Sequence, residues 1–114
     1  MSECVFCDKV KNEEFSKNGM SFSGCVAFEP LNPVTPGHLL VIPREHFANI
    51  NEVHGKAIED IGYALRYFTN DLESYNIITS KGGDATQSVF HLHWHIVPRK
   101  KDDGLALPWT GQLK

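Results

Sequence analysis

Polar and apolar residues alternate through residues 91–96 of HLHWHIV: His91, His93 and His95 take one parity, and Leu92, Trp94 and Ile96 the other. Successive side chains of a strand point to opposite faces, so the pattern predicts a strand from about Ser88 to Val97 with three imidazoles in a row on one face. A helical period rules the segment from about Asn51 to Tyr75, where Ile58, Ile61, Leu65, Phe68, Leu72 and Tyr75 recur every three or four residues. That stripe is core packing for one long helix. Lys56, Glu59, Asp60, Arg66, Asp71 and Glu73 fall between these positions and are assigned to its solvated face. Residues 22–29, FSGCVAFE, read as a strand that Gly24 weakens; HLLVIP, residues 38–43, as a short buried strand ended by Pro43; and NIITS, residues 76–80, as a third. The expected fold class is α+β, a mostly antiparallel sheet packed against one long helix in a single domain over residues 1–114.

Two loops stand out between these elements. PLNPVTPGH holds three prolines and a glycine, which restrict the backbone and suit a fixed loop lining a site. KGGDATQ, residues 81–87, is a flexible loop feeding the histidine strand. Its backbone N–H groups, with the polar side chains of Ser80, Thr86, Gln87 and Ser88, can form an anion-binding nest. The tail RKKDDGLALPWTGQLK has no periodicity, but Leu107 and Trp109 are costly to leave in water, so it is expected to dock on the body or on a partner subunit.

Composition narrows the field further. The 114 residues are 41% hydrophobic and 22% charged, as in an ordinary globular protein that needs no disulfide staples, and the net charge of −3 gives no support for nucleic acid or an acidic membrane as partner. The start, MSECVFCDKV, lacks a signal-peptide layout, and no stretch of about 18 apolar residues exists, so a cytoplasmic protein is expected. Three cysteines cannot all pair with one another, and the close spacing of Cys4 and Cys7 suits a reducing compartment. Cys25, between Gly24 and Val26, is most simply a small buried residue.

The histidine row carries the candidate chemistry. Alternate strand residues lie about 6.5–7 Å apart, so neighbouring imidazoles can act on one ligand. Imidazole, with a pKa of about 6.5, can serve at neutral pH as nucleophile, acid or hydrogen-bond donor. Cys4 and Cys7 make a CxxC pair that fits half of a tetrahedral zinc site, a redox dithiol, or two small residues. No second CxxC exists, so a zinc site would draw histidines from His38, His46, His54 or the row.

HLHWHIV resembles the His-φ-His-φ-His-φ-φ signature of the histidine triad superfamily of nucleotide hydrolases and transferases, and the likeness spans nearly the whole chain. CVFC, NPVTPGHLLVIPREH and TQSVFHLHWHIVPR occur in that family's order and approximate spacing. The resemblance implies the family's fold and a nucleotide substrate cleaved at its α-phosphorus, a nucleoside phosphoramidate or a dinucleoside polyphosphate, with release of a nucleoside monophosphate. It casts His93 as the nucleophile of a nucleotidyl-histidine intermediate, His95 as a hydrogen-bond donor to the phosphate or leaving group, and His38 in support. It places Gln87 and Ser88 near the phosphates and Val5, Phe6, Phe28 and Leu31 in the nucleoside pocket. It further implies structural zinc on Cys4, Cys7, His46 and His91, and a homodimer. Two positions depart from the family pattern. Pro30 stands where relatives often carry an acidic or amide side chain for the ribose, leaving Glu29 or Asn32 as substitutes, and Ser80 stands where phosphoramidase-like members commonly have Asn. Two other readings remain open: a nucleotide-binding regulatory protein with residual activity, and a metallohydrolase with catalytic zinc on the three histidines.

Overall fold

The alternating parity becomes a sheet whose two faces are both covered. The computed structural model describes residues 4–12 and 20–109. In chain order they form α1 (Val5–Asn12), β1 (Met20–Phe22), β2 (Cys25–Phe28), β3 (Leu39–Pro43), α2 (Lys56–Thr69), β4 (Tyr75–Ile78) and β5 (Trp94–Pro98), with single 3-10 turns at Ile50–Glu52 and Gly83–Ala85. The strands lie in the order β1-β2-β3-β5-β4, each neighbouring pair antiparallel.

Parity decides which residues meet α2. Cys25 and Ala27 of β2, Val41 of β3, and Trp94 and Ile96 of β5 pack with Ile61, Ala64 and Phe68 of α2 and with Phe47 and Leu92. The opposite parity, Val26, Phe28, Leu40 and Ile42, packs with Phe6 of α1. Cys25 is 1% exposed in this core, and burial followed by the charge of Asp60 pushes its thiol up to about 11. It behaves as a small apolar residue.

Three predicted elements change shape. The strand expected over 22–29 is a hairpin: Phe22 pairs with Cys25 around Ser23 and Gly24, whose φ values of 52° and 73° suit a tight two-residue turn. Gly24 thus reverses the chain where it was expected only to weaken a strand. The helix expected over 51–75 is trimmed at both ends. It starts after Gly55, held at φ 63°, and stops at Thr69, so Leu72 only packs beside the core and Tyr75 begins β4. Ile58, predicted in the buried stripe, is exposed. The helix is also not alone, because α1 occupies residues that carried no helical prediction.

The third change concerns the histidines. Regular strand begins only at Trp94, because residues 91–93 have other partners: the Leu92 N–H donates to the Phe47 carbonyl (2.6 Å) and the Thr79 hydroxyl to the His93 carbonyl (2.7 Å). His93 and His95 share a half-buried environment, whereas His91 is fully buried. The described part of the tail is tied to the body through Arg99, but Trp109, expected to dock, is exposed, and residues 110–114 lie outside the described residues. Arg99 grips both carboxylate oxygens of Asp103 (2.8 and 3.0 Å), the Asn76 amide oxygen and the Leu105 carbonyl. Leu105 and Leu107 line a cavity of about 150 Å³ with Val34 and Val97, while Trp109 stays half exposed.

Candidate functional site

The β3–β5 pairing places Leu40 opposite His95, and the proline-rich loop delivers His38 just ahead of β3. Gly37, at φ 87°, makes the final bend into His38, and a Cβ on it would come within 3.2 Å of the Pro98 ring. His38 and His95 then meet directly, Nε2 to Nδ1, at 2.9 Å.

Hydrogen-bond logic assigns the protons in this pair. The Val34 backbone N–H can only donate, and it donates to Nδ1 of His38 at 3.1 Å, so His38 carries its proton on Nε2. That N–H donates to Nδ1 of His95, which leaves the His95 proton on Nε2. Burial lowers the pKa of His38, and burial with the neighbouring His93 and His38 pushes His95 down to about 4. Both rings are therefore neutral at pH 7.

His93 is fixed by the same reasoning. Its Nδ1 lies 2.9 Å from the His91 carbonyl, which can only accept, so Nδ1 is protonated and Nε2 bears the lone pair. The His93 and His95 rings are 5.4 Å apart at 70°, and the Phe6 ring stands edge-on to His93 at 5.3 Å. A lone-pair nitrogen of one ring thus stands beside an N–H donor of the next.

His91 turns away from its neighbours. Its Nε2 donates to the Pro43 carbonyl at 2.9 Å, so its unprotonated Nδ1 faces Cys4 Sγ (3.3 Å), Cys7 Sγ (3.4 Å) and His46 Nδ1 (3.2 Å). Cys7 Sγ is 3.1 Å from His46 Nδ1, and the four ligand atoms all lie within 4.8 Å of one another. Tetrahedral zinc, with bonds of about 2.3 Å to sulfur and 2.0–2.1 Å to nitrogen, requires ligand-to-ligand edges of about 3.3–3.8 Å. The donor set and spacing fit that ion. The His91–Pro43 hydrogen bond fixes the ring tautomer as outer partners of metal-bound histidines do. Because both ring nitrogens of His91 are committed here, the three triad imidazoles do not converge on a common ion.

The loop ahead of the histidine row is held by its own hydrogen bonds. Gln87 is buried; its side-chain oxygen accepts from the Gly82 N–H (2.8 Å), and its NH2 donates to the Ala48 (2.7 Å) and Val89 (3.1 Å) carbonyls. The N–H groups of Ala85, Thr86 and Gln87 bond to the Gly82 and Gly83 carbonyls. These bonds commit those three amides within the loop. Ser88 is exposed and lines a cavity of about 520 Å³ with Val5, Val89, Phe90, Cys4, Cys7 and His46. Phe6 and Phe28 are core residues packed edge to face at 5.6 Å. Leu31 is 96% exposed, Asn32 and Glu29 are exposed, and Ser80 is half buried. Sequence reasoning overlooked Val34, whose only contribution is a backbone N–H and so leaves no mark on residue type.

The family described as "HIT domain" matches residues 12–102. A protein of Borreliella burgdorferi described as an uncharacterized HIT-like protein is 36% identical over 99% of this chain and 87% of its own length. An adenosine 5'-monophosphoramidase of Schizosaccharomyces pombe is 33% identical over 93% of this chain and 82% of its own. Among solved structures, a zinc-bound histidine triad family protein from Mycobacterium smegmatis superposes with a TM-score of 0.76 at 27% identity, covering 91% of this chain and 80% of that one.

Proposed function

Since the chain belongs to the histidine triad (HIT) family, we propose that it is a nucleotide hydrolase that cleaves nucleoside phosphoramidates or related α-phosphate linkages through His93. The observation that carries this reading is the tautomer of His93: with Nδ1–H held by the His91 carbonyl, Nε2 is the nitrogen that carries the lone pair. In the first step the Nε2 lone pair attacks the α-phosphorus and the bond to the leaving group breaks. The leaving group departs with its electron pair and takes up a proton. Water then attacks the same phosphorus, the P–N bond to His93 breaks, and nucleoside monophosphate leaves as the water gives up a proton. His95 offers its Nε2–H to the phosphoryl oxygens or leaving atom, and His38 keeps that proton on Nε2. The phosphoramidase of Schizosaccharomyces pombe supports the substrate class.

Cys4, Cys7, His46 and His91 would hold zinc as a structural ion, since all four tetrahedral positions are filled by protein and none is left for substrate. The second subunit of a homodimer fits the free edge of β4, where Tyr75, Ile77 and Ile78 are exposed. A light-scattering mass of one chain would exclude that assembly. Among the described residues no helix is long and apolar enough to cross a membrane.

A panel of adenosine and guanosine phosphoramidates, dinucleoside polyphosphates and nucleotide sugars tests the reading. Release of nucleoside monophosphate is expected from at least the phosphoramidates. Tight binding of every member without turnover would instead favour a regulatory nucleotide-binding protein. In His38→Ala, kcat is expected to fall by about 10–100-fold with KM little changed, because the donor proton on His95 is no longer held in place. The loss should be largest for poor amine leaving groups, and equal losses for all would contradict the role given to His38.

A further inference from the structure

Phe6 sits between the two cysteines of the metal tetrad, and its ring is 7% exposed. It stands edge-on to His91 at 5.9 Å and to His93 at 5.3 Å. One side chain thus touches a candidate metal ligand and the candidate nucleophile, while its own backbone is flanked by two further ligands. The His91 carbonyl that fixes the His93 tautomer also belongs to a ligand residue.

α1 depends on that cluster. It has only eight residues, and helices shorter than about 12–15 residues are marginal in water unless packing holds them. Its anchors include Phe6 and Val10 in the smaller core cluster, Lys9 over the Phe28 ring, and the two cysteines at its start. Cys7 N–H also donates to Cys4 Sγ at 3.3 Å, so the first turn is organised around the sulfur atoms. Removing the ion would leave the cysteines and histidines without the bond that joins α1 to residues 43–47 and 91–93.

We propose that Phe6 couples metal binding at Cys4, Cys7, His46 and His91 to nucleotide binding beside His93. The proposal rests on the reading of His93 as the centre of a nucleotide site. In the metal-loaded protein α1 is docked, and Phe6 braces the His93 ring edge-on. In the metal-free protein α1 loosens and that brace is lost, so nucleotide binds more weakly. Coupling between two sites is reciprocal: whatever factor zinc adds to nucleotide affinity, nucleotide adds to zinc affinity. Phe6 is a positioning residue in this scheme.

The test measures both directions of that coupling on the full chain. AMP is titrated by calorimetry into zinc-loaded and chelator-treated protein, and zinc is titrated against a chromogenic chelator with and without saturating AMP. The expected result is about tenfold tighter binding in each direction, a typical size for such coupling. In Phe6→Leu zinc should still bind within about threefold, and the coupling should drop below about twofold. Hydrogen exchange of the wild-type protein supplies a reading that needs no variant: amides of residues 5–12 should be protected with zinc and exchange quickly without it. Equal AMP affinity with and without zinc would overturn the proposal, as would full coupling in Phe6→Leu or unchanged protection of α1. AMP binding to neither form, with zinc bound normally, would instead remove the nucleotide reading on which the coupling stands.

Discussion

His93→Ala should lose turnover of a nucleoside phosphoramidate by about 10⁴-fold or more while still binding AMP within a few-fold of wild type. Loss of a covalent nucleophile removes the whole two-step route, and neighbouring donors cannot replace it, which is why such losses are the largest seen in active sites. The substitution should be tolerated by the fold. His93 is half buried and lies outside the ladder of β5, and the Thr79 hydrogen bond is to its backbone carbonyl, which alanine retains. Single-turnover release of AMP, measured beside AMP affinity, separates the two effects. Substantial residual turnover would assign the chemistry to another group.

The second large effect concerns the tetrad. Chelation of the metal-loaded protein should lower its Tm by about 15 °C. Ligand linkage gives about 4 kcal/mol when free zinc is 1,000 times its Kd, and a domain of this size shifts by roughly 4 °C per kcal/mol. His46→Ala should abolish the zinc-dependent rise in Tm with little other cost, because His46 is exposed and its removal opens no core cavity. Calorimetric scans with and without added zinc decide this. An unchanged Tm after chelation, with zinc shown to have been bound, would mean that the four residues do not carry the ion.

pH enters through His95. Its unfolded pKa of about 6.5 exceeds the folded value of about 4, so between these values the unfolded chain binds a proton that the native one refuses. Its contribution to stability is therefore complete above about pH 6.5 and declines as the pH falls toward 4. The same depression keeps the His38–His95 pair neutral through the range in which an ordinary imidazole would charge.

Much of this site was legible in the chain because its chemistry rests on side chains at a fixed period. His93 and His95, and the buried parity of Leu92, Trp94 and Ile96, follow from alternation alone. The resemblance to the histidine triad family supplied the tetrad partners, and spacing could not, since His46 and His91 approach Cys4 and Cys7 only in the folded chain. The resemblance implies a main-chain carbonyl behind the nucleophile's ring, but residue types could not say which backbone groups serve. The Val34 N–H that sets the His38 tautomer, and the carbonyls of Pro43 and His91 that orient their rings, would be offered by almost any residue type. α1 escaped for another reason: CDKVKN carries little apolar periodicity, and its docking comes from Phe6 and two sulfur atoms rather than from a hydrophobic stripe. Gln87 illustrates a third limit, because its residue type does not show the hydrogen bonds to Gly82, Ala48 and Val89 by which it holds the loop.

The stereochemical course at phosphorus tests the central claim most directly. Hydrolysis of a phosphoramidate made chiral at its α-phosphorus, followed by determination of the configuration of the released nucleoside monophosphate, counts the in-line displacements. Attack by His93 followed by attack by water inverts the centre twice, so the account predicts net retention. Net inversion would mean that water displaces the leaving group in one step and that His93 forms no covalent intermediate.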